Sequence, residues 1–532
     1  MTTESALADG VREALSVDAE AFTERAAEEA EIVKQELHDG SFDNQQSIVG
    51  FEYEFYAVGD GRWSEESRAG EYALMRVPRR LLELMGFEKE FGLHNAEMST
   101  SPQPLSNHGL RAQLAEVRAR LEAAENTAGV EGMRLVSDGL WTIPPAGETA
   151  REYLTDSVEV DGVVVAVNMS DAVRYHAMAN TRREGSTDAE PNSGDGNPAV
   201  VLDAPGVSLA AETVMPESLI TSVQPHYQVA RAETLPEHFR YALRIAGPLL
   251  ALAANSPFFP PDLYDDGWDG ERVLAEGATA NRIHVFESVL NSRTDAGKVR
   301  FPRDFPDVET AVDRIASGRD ADPDARPGRL GPLRRRVRDV PDETRQLLAV
   351  GPPRLRGVEP LRRERPDRVP PHSRPAHRPR LHRLPGSLRR PDAGARPART
   401  PRSSDSTGRP PATTSTPRSR TVSTPSMKWI GRDGERTTDT DALYGDLLDH
   451  AEAGLRTAGC AADEAAEWVA PLRWRVANRT TPASWKRDRV RERLDDGDDF
   501  ATAVQDTQRE YIDRQSETLI EGGFSAWTDD DD

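Results

Sequence analysis

One block of this chain cannot form a folded core. Residues 321–425 hold 20 of the 39 prolines and none of the 32 Phe, Trp and Tyr residues. Proline removes backbone donors and fixes φ, so this density favours extended chain over helix or ladder. The block also carries 25 Arg, no Lys and 10 Asp+Glu, a net charge of +15. The whole chain is at −23, so the remaining 427 residues stand at −38. Two kinds of polypeptide are therefore joined in one chain of 532 residues.

Three readings of the block follow from its composition. It is a basic disordered linker, or an arginine-rich arm for nucleic acid without stacking aromatics, or an out-of-frame translation. In a GC-rich gene, acidic codons read one base off become Arg, Thr or Gly codons. Acidic, aromatic-bearing sequence resumes at Met427-Lys-Trp-Ile, as two compensating frame slips would produce. The boundaries are then an N-terminal helical segment at 1–45, a core at 46–320, the low-complexity segment at 321–426 and a helical region at 427–532.

The acidic majority has only five Lys against 37 Arg. Such a surface repels itself and stays hydrated, and near-molar salt screens it over about 3 Å. A halophile's cytoplasm is the expected setting. The same charge opposes nucleic acid as a partner of the folded part. The one cysteine, Cys460, excludes an intrachain disulfide and a Cys-built zinc site. No apolar run is long enough to span a bilayer, and MTTESALADG lacks a signal-peptide pattern, so no membrane partner is expected.

Patterning gives a mixed α and β chain. Helices are expected over 17–38, 71–86, 107–127 and 235–254. Strands are expected over 47–63, with a turn at Gly59-Asp60-Gly61, then around 90–102, 133–143, 160–168 and 219–230. Residues 181–198 read as a polar loop, and an acidic tail runs from Asp529 to Asp532. The helices at 440–520 read as scaffold or dimer surface, so a homo-oligomer is left open. No Rossmann or P-loop glycine fingerprint occurs.

Four short segments could carry chemistry. In Gly50-Phe-Glu-Tyr-Glu-Phe-Tyr56, strand alternation puts Phe51, Tyr53 and Phe55 on one face. Glu52 and Glu54 share the other, about 7 Å apart. Two carboxylates there repel each other unless solvated or bridged by a divalent cation, and oxygen donors suit Mg²⁺. Asn95, Glu97 and Ser99 alternate in the same way before Thr100-Ser-Pro102. Ser222, Gln224, His226 and Gln228 line one face of a third strand, where Pro225 marks an edge or bulge. The fourth is Ala254-Asn-Ser-Pro-Phe258, followed by Arg282 and Phe286-Glu287. Arginine suits bidentate contact with phosphate or carboxylate.

In this order the four segments resemble the glutamate–cysteine ligase family of plant and bacterial type, with its carboxylate–amine ligase relatives. The resemblance covers about residues 46–305 and resumes at Pro482-Ala-Ser-Trp-Lys-Arg487. It departs at Ser137-Asp-Gly-Leu-Trp-Thr-Ile-Pro144, where the family often has Gly-x-His-Pro, and at Gln224, where many relatives have His. The family's later Trp/Arg strand elements would fall in the Arg/Pro block and are absent from it. The resemblance implies an α+β fold with a glutamine-synthetase-like curved antiparallel sheet and flanking helices, binding Mg²⁺ and ATP. It implies Glu52, Glu54 and Glu97 as metal ligands, Gln224 and His226 for metal, phosphate or substrate, and Arg282 as the catalytic cation. The implied reaction joins the γ-carboxylate of glutamate to the amine of cysteine through an acyl phosphate. The alternatives are another amine acceptor, or a defective product lacking its later strands.

Overall fold

The computed structural model describes residues 3–16, 18–61, 70–184, 200–291, 302–317, 429–430, 435–520 and 522–527. The chain divides into two units, one of 1–353 with 424–532 and one of 354–423. The second unit and the whole Arg/Pro block lie outside the described residues, as do the stretch 185–199 and the Asp529–Asp532 tail. Everything below concerns the first unit, which mixes helices with antiparallel sheet.

Strand β1 (Ile48–Gly59) organises the molecule. Its partners are β2 (Glu88–Lys89) by way of β3 (Asn95–Ser99), then β4 (Gln103–Pro104) and β5 (Met133–Val136). Two hairpins follow outside this sheet, β6 (Ser157–Val160) with β7 (Val163–Ala166), and β8 (Val200–Ala204) with β9 (Val207–Ala211). The last partner of β1 is β10 (Val223–Gln228). Every pairing in the six-stranded sheet is antiparallel. Glu52 pairs with both Ser99 and Gln224, and Tyr56 with both Asn95 and Val136. A strand has two edges, so β10 and β5 share one edge of β1 while β3 and β4 take the other. Strand β10 is outermost in the order β10-β1-β3-β2, where Pro225 removes a donor without breaking an inner ladder.

The two faces of β1 enter two cores. Phe55 and Ala57 pack with Leu81, Leu82 and Met85 of the helix Arg79–Met85, and with Leu121, Ala124 and Ala128 of the helix Asn107–Val130. Tyr56 and Val58 face the other way, into a core that includes Trp141, Tyr153, Phe259, Phe286 and Ile512. Glu52 and Glu54 belong to this second face by alternation.

Local chemistry sets the helix ends. Asp18 caps Ala19–His38 by accepting from the amides of Glu20 and Ala21, and the chain leaves through Gly40 at φ 71°. The helix expected over 71–86 forms only at Arg79–Met85. Pro78 bars its predecessor from helical backbone, so the first half stays irregular. Leu235–Leu252 stays helical through Pro248. Four helices fill 440–518: Thr440–Thr457, Ala462–Asn478, Pro482–Asp495 and Phe500–Thr518. Among the described residues, no helix is long and apolar enough to cross a membrane.

Gly109 lies in the first turn of Asn107–Val130, where a Cβ would stand 1.9 Å from the Pro104 carbonyl oxygen. Alanine normally favours a helix over glycine by about 1 kcal/mol. Here a backbone atom would have to move, so Gly109→Ala should destabilise by about 1–3 kcal/mol. Equilibrium denaturation in high salt checks the sign.

Candidate functional site

The register of the sheet gathers the polar side chains. Cross-strand partners share a face, so Glu54 opposite Glu97, Glu52 opposite Ser99 and Gln224, and Gly50 opposite His226 place all of these on one surface. Glu88, opposite Glu97 on β2, joins them. Glu52, Glu54 and Glu97 are buried, not solvated. Gln224 is buried too, and donates from Nε2 to Glu54 Oε1 at 2.7 Å. The amide of Ser222 donates to Glu54 Oε2 at 2.8 Å. His226, half open to solvent, stands 3.2 Å from Glu52 Oε2 through its Nε2.

Burying like charges raises their pKa values. Glu54 is pushed up to about 8, first by desolvation and then by Glu97, against the pull of its bonds from Ser222 and Gln224. Glu97 is pushed up to about 9 by desolvation, then by Glu90 and Glu52. Its Oε1 is buried with no hydrogen-bond donor among the described residues. The carboxyl of Glu90 lies within bonding reach of Glu97. Two such carboxyls are compatible only if they share a proton or a cation.

Arg282 opens the helix Asn281–Leu290 and is half-buried. Burial pulls its guanidinium down, while Glu54 and Asp138 hold it charged. Among the described residues no ion pair or hydrogen bond engages the guanidinium. Its placement comes from the Ala-Asn-Ser-Pro-Phe segment. Ser256 accepts the amide of Asn281 on its carbonyl at 2.9 Å and that of Arg282 on its Oγ at 3.4 Å.

The structure therefore brings Glu52, Glu54, Glu97, Gln224 and His226 to one sheet face and sets Arg282 in electrostatic reach of Glu54. It does not assemble a finished cation cage. Among the described residues no three Asp, Glu, His or Cys side chains stand close enough to hold one metal ion. Glu54 is turned toward Gln224 and Ser222, and Glu52 toward His226.

Sequence reasoning missed two neighbours. Glu90 approaches Glu97 from the turn before β3 and accepts from the Tyr175 hydroxyl at 3.2 Å. Asp138 is buried and ion-paired with Lys486, which comes from the far side of the Arg/Pro block. Spacing could not reveal either contact, although a lysine was a signal in a chain with only five.

The model of glutamate-cysteine ligase family 2 (GCS2) matches residues 48–319, just over half of the chain. The chain belongs to this family. No curated protein matches it significantly. The family match spans all six residues singled out from the sequence and stops before Lys486. A family of this kind implies a ligase and small-molecule substrates. The carboxylate oxygens are of the type Mg²⁺ prefers, and Glu97 stands in buried repulsion with its neighbours.

That repulsion has a pH signature. Glu54 and Glu97 titrate above the unfolded value of 4.5, so the folded state binds more protons than the unfolded state between about 4.5 and 9. Their contribution to stability is full below pH 4.5 and falls as pH rises. Glu97→Gln should flatten this fall relative to the parent, and millimolar Mg²⁺ should flatten it in the parent alone. Denaturation midpoints at pH 5, 7 and 9 in constant high salt measure the difference.

Proposed function

We propose that this chain is an ATP-dependent carboxylate–amine ligase that joins the glutamate γ-carboxylate to the amine of cysteine. The observation that supports it most is the buried acidic face of the sheet, with Arg282 in electrostatic reach of it, inside the segment the family matches. A triphosphate and a carboxylate can meet only where cationic groups offset their charge. The proposed fold is the curved, glutamine-synthetase-like sheet, with this face as its concave side and the cytoplasm of a halophile as its setting.

In this reading Glu52, Glu54 and Glu97 hold Mg²⁺, and Gln224 and His226 contact metal, phosphate or substrate. Mg²⁺ held there would offset the charge of the triphosphate. A γ-carboxylate oxygen attacks the γ-phosphorus, ADP leaves, and an acyl phosphate forms. The amine nitrogen then attacks the acyl carbon, phosphate leaves, and the amine gives up a proton. Arg282 offsets charge on the phosphoryl oxygens as it grows. Gln224, held to Glu54, keeps that carboxylate aimed along the face.

ADP release from ATP and glutamate, in molar KCl with a panel of amines, tests the proposal. Release with cysteine is the expected result. Release with other amines but not with cysteine reassigns the acceptor, and no release with any amine defeats the ligase reading. Arg282→Ala should lower kcat by roughly 10²–10³-fold, the usual cost of removing one electrostatic stabiliser of a transition state.

A further inference from the structure

The loop Ser137–Gly139 is held mainly by helices that follow the Arg/Pro block. The amide of Ser137 donates to Gln515 Oε1 at 2.9 Å, and its carbonyl accepts from Gln515 Nε2 and from the Tyr511 hydroxyl. Asp138 Oδ1 accepts the amide of Gly139 at 2.7 Å. Its Oδ2 accepts from Lys486 Nζ and, at 2.9 Å, from Gln508 Nε2, which also reaches the Tyr56 hydroxyl. Lys486 Nζ lies 4.0 Å from the centre of the Tyr511 ring. Lys486 is 3% exposed and Asp138 4%. An ion pair this deep is weak support for stability, because desolvation offsets its attraction, so another role deserves a test.

From this loop two short paths lead to the candidate site. On one, Thr221 donates its hydroxyl to the Asp138 carbonyl and its amide to that of Gly139, at 3.4 Å for the amide. The next residue is Ser222, whose amide holds Glu54. On the other, Gly139 backs onto Asn255, where a Cβ would sit 2.2 Å from the amide oxygen. Asn255 precedes Ser256, which sets Asn281 and Arg282. The amide of Ala483, three residues before Lys486, donates to the Ala254 carbonyl at 2.9 Å. Arg282 and Glu54 are thus each linked to the buried pair by a short run of contacts.

We propose that Asp138 and Lys486 are positioning residues for Glu54 and Arg282, which makes the helices beyond the Arg/Pro block a required part of the site. This rests on the ligase reading only for its catalytic consequence, not for the coupling itself. Lys486→Met alone leaves a buried unpaired carboxylate, so the informative variant is the full chain carrying both Asp138→Asn and Lys486→Met, with Lys486→Arg as the conservative companion. Hydrogen exchange at the amides of Ser222 and Asn281 should speed up about tenfold in the double variant, with exchange in Asn107–Val130 unchanged. Its kcat for ADP release should fall about 100-fold with KM for ATP less affected, as for a misplaced reacting group, and Lys486→Arg should retain part of that kcat. Exchange at both amides equal to the parent's overturns the proposal, as does a double variant with the parent's kcat. If the parent itself releases no ADP, the ligase reading fails, and the exchange comparison still decides the coupling.

Discussion

Three glutamates buried on one face of a small sheet set the terms for everything around them. A buried carboxylate keeps its charge only against hydrogen bonds or cations. Glu54 has a side-chain amide and a backbone amide, and Glu52 has the imidazole of His226. Among the described residues Glu97 has no such donor on Oε1, and the carboxyl of Glu90 lies close to it. The result is a buried carboxyl surface on which Glu54 and Glu97 hold their protons up to about pH 8 and 9. Packing on the opposite face, from Phe55 through Leu121 to Ala128, holds that surface in place.

The same constraint explains the chain's long-range contacts. A polar face at the edge of a core must be closed by groups that are themselves satisfied. The loop at Asp138 meets that need with Lys486, Gln508, Tyr511 and Gln515, drawn from two helices more than 340 residues further along the chain. His94 shows the structural counterpart. Its ring is fully buried between the Tyr153 hydroxyl and the Ser218 carbonyl, and burial pulls its pKa down to about 3. It is a neutral core histidine beside an ionisable site, and its fixed hydrogen bonds tie β3 to the segment that leads into β10.

That the candidate residues would share strand faces was legible in the sequence because they alternate on strands. Glu52 with Glu54, Asn95 with Glu97 and Ser99, and Gln224 with His226 each advertise a shared face through the two-residue period alone. Ends of elements read less well. The apolar run at 71–86 looked helical, yet Pro78 confined the helix to its second half. Glu90 stayed hidden because it lies in a turn, where no period marks which way a side chain points.

What the sequence determined by itself was the division between a coreless, arginine-rich block and an acidic folded majority, the alternation of β1, β3 and β10, and the family to which their motifs belong. Tertiary structure decided that the three faces coincide, since strand order and register come from pairings between residues as far apart as Glu52 and Gln224. It also decided that the three glutamates are buried, which raises the pKa values of Glu54 and Glu97, and that Lys486 meets Asp138. Such contacts depend on which surfaces close on one another in space, and no local pattern of residues encodes them.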